Sequence, residues 1–164
     1  MHGLIRTLGI AAMIGGLLRV ADSFITQSAS AGTLAALYFT TDMFLLLGMA
    51  GIYLSRRTTI GIAGTLGAAI FTLGIVLVRV SAFGVLGTNG YKLGAAVALL
   101  GLAILSAETL LPRHGGTSSA ILWLLSFALG ILAAAGVAPA ILMLGAGVAF
   151  GAGFVAAGLE ILAA

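Results

Sequence analysis

The sequence predicts an all-α integral membrane protein, a six-transmembrane-helix bundle built as a 3+3 inverted-topology repeat. Three observations carry that expectation. The first is composition: 62% of the 164 residues are hydrophobic, 7% are charged, and mean hydropathy is +1.28. Soluble domains carry about 25% charged residues, so a water-soluble fold is excluded. The second is a series of apolar stretches, each near the roughly 20 residues that a spanning helix needs. The third is the distribution of the basic residues outside those stretches or at their ends, all of which but Lys92 fall on one side of the series.

In chain order, spans are expected at 7–26, 33–55, 60–83, 91–112, 119–137 and 139–162. Arg6 before an apolar run and Ala29-Ser30-Ala31 after it resemble a secretory leader and its cleavage site. Arg19 and Asp22 interrupt that run, so the segment reads as the first span. Gln27-Ser28-Ala29-Ser30 forms a short polar loop before the second. Ser55-Arg56-Arg57-Thr58-Thr59 forms a basic turn, with Thr59 placed to cap the third. Gly87-Thr88-Asn89-Gly90 is a turn signal before the fourth. Pro112-Arg113-His114-Gly115-Gly116 ends the fourth, and Thr117 or Ser118 can cap the fifth. Gly136 marks the hinge before the sixth, whose first turn suits Pro139.

Six spans place Arg6, Arg56, Arg57 and Arg113 on one side and only Lys92 on the other. Short loops rich in Lys and Arg stay in the cytoplasm, so the expectation is a multi-pass protein of the plasma membrane with both termini cytoplasmic. Tyr38, Tyr53, Tyr91 and Trp123 each fall near an expected interface, as an aromatic belt would. Net charge is only +3 despite a pI near 10, which indicates no nucleic-acid partner. Cysteine is absent, which removes disulfides, thiolate metal sites and cysteine nucleophiles.

The chain reads as a single membrane domain over 1–164, with halves at 1–84 and 85–164. A shift of 85 residues pairs Leu8-Gly9 with Leu93-Gly94, Gly16-Leu17 with Gly101-Leu102, Tyr38 with Trp123 and Thr41 with Ser126. A shift of 84 pairs Gly67-Ala68 with Gly151-Ala152 and Gly74 with Gly158. Three spans per half would invert the second half relative to the first. Small residues bring helix backbones close in lipid, where hydrophobic drive between helices is absent. The glycines, including the Gly147–Gly151 GxxxG pair, therefore serve either packing within the bundle or a face for self-association. Gly145-Ala-Gly-Val-Ala-Phe-Gly151 is no dinucleotide loop, because its spacing is one residue late and no strand precedes it.

Asp42 is the leading candidate for function. It lies ten residues beyond Gly32, about 15 Å along a helix, near the middle of a hydrocarbon core of about 30 Å. A charge at that depth costs about 2.5–3.5 kcal/mol on insertion scales and normally faces protein or a polar cavity. Arg19, Asp22, Ser23 and Thr26 follow helical spacing on the first span, Tyr38, Thr41 and Asp42 cluster on the second, and Thr58, Thr65, Thr72 and Arg79 recur every seven residues on the third. Together these stripes suggest an outward-facing polar pocket lined by Arg19, Asp22, Tyr38, Thr41, Asp42, Thr72 and Arg79. Phe127 replaces Asp42 in the second half. For Asp42 the readings are a structural ion pair with Arg79 or Arg19, a binding or proton-transfer group, or a subunit contact. The two arginines could instead snorkel to headgroups. Glu108 and Glu160 are expected to reach interfacial water.

Enzymatic motifs are missing: there is no HExxH, no GxSxG and no histidine at membrane depth. No cofactor is expected, since neither haem nor retinal has a residue to hold it. Two functions remain. One is a small transporter or channel-like protein that binds an ion or polar substrate around Asp42. The other is a non-catalytic accessory subunit of a larger membrane complex. Beyond the lipid bilayer, the partners this allows are other membrane subunits or a second copy of the chain on glycine-rich faces.

Overall fold

The computed structural model describes residues 2–25, 30–82, 87–111 and 117–164. Among these, every regular element is α-helical: α1 (His2–Ile25), α2 (Ala31–Arg56), α3 (Ile62–Ala82), α4 (Gly87–Thr109), α5 (Thr117–Ala134) and α6 (Pro139–Ala163). Five of the six are long and apolar enough to cross a membrane, and α5 is the shorter one. The fold is that of a membrane-embedded helical bundle. The loop at 27–29 and the 112–116 connector, with Arg113, lie outside the described residues.

The helices form a ring in the order α1–α6–α5–α4–α3–α2. Two of its contacts are backbone-close glycine crossings. Where α1 meets α6, a Cβ added to Gly151 would stand 2.5 Å from the Gly16 carbonyl oxygen, and one on Gly158 would stand 2.5 Å from that of Gly9. Where α3 meets α4, a Cβ on Gly101 would stand 2.6 Å from the Gly67 carbonyl oxygen, and one on Gly94 2.9 Å from that of Gly74. Only glycine permits such an approach, and the resulting van der Waals contact is what holds helices together in lipid. Gly48 packs in the same way on Ala12, and Gly51 on Leu8, joining α2 to α1. These glycine faces are buried inside the chain, so they are not open for self-association. By contrast, α2 touches its chain neighbour α3 only lightly.

A plug of large side chains fills the ring's middle. Trp123, Phe71 and Phe154 are fully buried; Phe154 meets Trp123 edge-on at 5.2 Å between centroids and Phe71 at 5.4 Å, within the favourable range for aromatic pairs. Trp123 is therefore not a belt residue, because the α5 face that carries it turns toward the aromatic plug of α3 and α6.

Helix ends hold several departures from expectation. Thr59 does not cap α3; its hydroxyl donates to the Arg56 carbonyl and closes α2. The Gly61 amide at the start of α3 instead donates to Glu108 Oε1 at 2.9 Å. Glu160 serves the start of α5, accepting from the Ser119 amide at 3.2 Å and the Ser118 hydroxyl at 2.6 Å. Both acids are thus caps rather than interfacial groups in water, as suits carboxylates at positive helix ends. The Gly87–Gly90 turn signal is absorbed into the first turn of α4, where unpaired amides tolerate turn-forming residues. Ser30 caps α2, accepting from the Thr33 amide. Pro139 opens α6 as expected. Gly136 has φ of 86°, and the Val137 and Gly136 amides reach back to Leu132 and Ala133. That pattern is a Schellman cap, in which the left-handed position favours glycine.

Candidate functional site

The contacts give the bundle two distinct ends. Gly9 meets Gly158, and Arg56 meets Glu160, so both chain ends lie at one end, the terminal end. At the opposite end the ring encloses a cavity of about 470 Å³ to which all six helices contribute. Its size falls within the range of about 300–1,000 Å³ usual for small-molecule sites.

The cavity is lined mostly by apolar groups, and its four charged side chains all lie on one wall. α1 provides Arg19 and Asp22, α2 provides Tyr38, Thr41 and Asp42, and α3 provides Arg79. The facing wall is made by Tyr91, Ala95, Ala98 and Leu99 of α4, Gly130 of α5, and Met143 and Phe150 of α6, with Tyr91 and Ser126 supplying its hydroxyls. The plug beneath, with Leu45 and Phe150 at its upper surface, separates the cavity from the terminal end.

The charges are arranged as two pairs. Arg19 Nη1 donates to Asp22 Oδ2 at 2.9 Å along α1, a geometry that the i, i+3 spacing dictates. Arg79 reaches from α3 to Asp42 on α2, its Nε donating to Oδ2 at 3.1 Å and its Nη2 to the same oxygen. This pair bridges the loosely packed α2–α3 seam at cavity depth. Each cation also lies over a ring: Arg79 Cζ is 5.6 Å from the Phe39 centroid, and Arg19 Cζ is 6.0 Å from that of Phe150, distances at which a guanidinium is attracted to the ring face. With two guanidinium groups and two carboxylates, the lining carries no formal net charge.

Two polar atoms in this wall have no partner. Asp22 is 1% exposed and its Oδ1 accepts no hydrogen bond, and Thr41 is 1% exposed with an unpartnered hydroxyl. Buried polar atoms are nearly always satisfied; Ser106 Oγ and Trp123 Nε1, outside the cavity lining, are the other two without a partner among the described residues. Among the described residues no three His, Asp or Glu side chains converge, and both cavity carboxylates already face guanidinium groups.

Six of the seven residues expected here line the cavity: Arg19, Asp22, Tyr38, Thr41, Asp42 and Arg79. Thr72 does not. It is exposed on the outer side of α3, and its hydroxyl donates to the Ala68 carbonyl at 2.9 Å. The inward face of α3 is Gly67, Ala68, Phe71, Gly74 and Ile75. Arg79 lies about 20° round the helix from Thr72, and only its long side chain reaches back across the seam.

Sequence reasoning missed a second polar cluster at the terminal end. Arg56 Nη2 donates to Glu160 Oε2 at 2.5 Å, and its guanidinium lies within 3.5 Å of the Thr109 and Ser119 hydroxyls. This network ties α2 to α4, α5 and α6. Residues so far apart in sequence share no local signal that would have grouped them. Comparison with protein families, with curated proteins and with solved structures finds no match to this chain.

Proposed function

We propose that this chain is a small carrier of the plasma membrane, crossing it six times with both termini in the cytoplasm, and that its substrate binds in the Asp42 cavity. The observation that carries this reading is a cavity at membrane depth, closed at one end, whose wall holds unpartnered buried polar atoms.

Support for the inverted repeat comes from the glycine crossings. The 85-residue shift carries Gly9 and Gly16 of α1 onto Gly94 and Gly101 of α4, and the 84-residue shift carries Gly67 and Gly74 of α3 onto Gly151 and Gly158 of α6. The pairs in contact, Gly16 with Gly151 and Gly9 with Gly158, thereby map onto Gly101 with Gly67 and Gly94 with Gly74. Under the repeat, the two crossings would correspond.

The remaining helices break this symmetry. α2 packs closely on α1 and lightly on α3, whereas its counterpart α5 packs closely on α6 and less on α4. Exchanging those two arrangements would close the Asp42 cavity and open its counterpart at the terminal end. Alternating access then amounts to repacking α2 and α5 against the α1–α6 and α3–α4 pairs, which for α2 includes parting Gly48 from Ala12 and Gly51 from Leu8. Arg56–Glu160 and the plug hold the terminal end shut in this state.

Proteoliposomes exposed to a mixed pool of small metabolites, read by mass difference, provide the test. The native chain should accumulate at least one compound that the Asp42→Asn chain does not. Equal accumulation by both chains removes Asp42 from the mechanism. No accumulation by either favours the accessory-subunit reading.

A further inference from the structure

We infer that the cavity takes a net-neutral amphiphile, a small molecule with a zwitterionic head and an apolar body. The inference rests on the reading of the Asp42 cavity as a binding site and extends it to the class of ligand.

The polar wall specifies the head. Asp22 Oδ1 is a buried acceptor in need of a donor, which an ammonium or amide group would supply. Arg79 engages Asp42 through Nε and Nη2, leaving Nη1 without a partner among the described residues. The unpartnered Thr41 hydroxyl lies one residue from Asp42 on the same wall. A carboxylate would take donors from both. The lining already balances two cations against two anions. A ligand with net charge would leave that charge uncompensated away from water, which strongly disfavours burial, whereas a zwitterion preserves the balance. A bare metal cation would find one free oxygen, Asp22 Oδ1, on a carboxylate already paired with Arg19, and a bare anion would meet that same oxygen.

The opposite wall specifies the body. Ala98, Leu99, Met143 and Phe150 present only carbon, or carbon and sulfur, to the cavity. Water is poorly held against such a surface, and each methylene placed there should tighten binding about fourfold. The cavity's 470 Å³ exceeds what a head group alone would fill.

The test uses four probes with the purified full chain in a maltoside detergent, read by the shift of the thermal unfolding midpoint across a concentration series. Norleucine is a zwitterion with a four-carbon body, hexylamine and hexanoate carry apolar chains with a single charge, and glycine is the head alone. Norleucine should stabilise at concentrations at least tenfold below those needed with glycine, hexylamine or hexanoate. Asp22→Asn, which turns the unpartnered acceptor into a donor, and Thr41→Val should each weaken the norleucine effect at least tenfold. The two substitutions act on different helices, so a folding defect in one leaves the other informative. An absent norleucine shift, a charged probe equal to norleucine, or glycine equal to norleucine overturns the proposal. Binding of norleucine without its exchange in proteoliposomes would sink the carrier reading and leave this inference standing. Asp42-dependent uptake of other compounds, with no norleucine binding, would do the reverse.

Discussion

Asp42 on α2 and Arg79 on α3 form an ion pair in which two guanidinium nitrogens, Nε and Nη2, converge on one carboxylate oxygen, Oδ2. The pair spans the loosest contact between chain neighbours in the bundle and is itself largely buried, with 13% and 17% of the two side chains exposed. Removing one member of such a pair costs about 3–5 kcal/mol, because the survivor is left charged in a poor solvent, whereas replacing both is far milder. Arg79→Leu alone should therefore lower the thermal midpoint more than the double change with Asp42→Leu. Thermal unfolding in detergent checks this, and equal losses would mean that the pair is not coupled.

The glycine crossings make a prediction about symmetry. A methyl group at Gly16 would meet the Gly151 carbonyl, and one at Gly101 would meet that of Gly67. Overpacking of this kind costs about 1–3 kcal/mol. Gly16→Ala and Gly101→Ala should destabilise to a similar degree, while Gly3→Ala and Gly32→Ala, in helix with nothing within 4 Å, should be neutral or slightly stabilising. A large inequality between the first two would argue against equivalent crossings.

At the terminal end, Glu160 is both the partner of Arg56 and the cap of α5. Glu160→Ala should cost about 3 kcal/mol or more, because it leaves Arg56 buried without a counter-charge. In the carrier reading it also favours the state open to the terminal side. A cysteine at buried Ser106 should then react faster with a soluble maleimide in the Glu160→Ala background than with Glu160 present. An unchanged rate would separate this network from gating.

Thr72 provides the contrast. Its hydroxyl is satisfied within its own helix and lies outside the cavity. Thr72→Val should leave stability within about 0.5 kcal/mol and leave norleucine binding unchanged. A loss of binding would mean that α3 is rotated relative to this structure.

Much of this was legible because a bilayer imposes its rules on composition. Charges are so costly at depth that Asp42, Arg79, Arg19 and Asp22 identified themselves, and helical spacing placed them on converging faces. Thr72 was misassigned because a seven-residue spacing fixes a stripe without fixing which way the stripe turns; the neighbouring stripe of Gly67, Ala68 and Phe71 faces inward instead. Trp123 was misassigned because aromatic rings suit both an interface and a tight core. The roles of Glu108 and Glu160 depended on contacts 47 and 41 residues away, a reach that no local pattern encodes.

In the carrier reading the Asp42 cavity opens on the side opposite the termini, and the absence of native cysteine allows this to be tested directly. Ala95→Cys places a thiol on the cavity wall, and Leu73→Cys places one on the exposed, lipid-facing side of α3. A membrane-impermeant maleimide applied to intact cells should label Cys at 95, with norleucine slowing the reaction, and should leave Cys at 73 unmodified. A position 95 that is unreactive from outside, or that reacts only in inverted vesicles, would contradict the account.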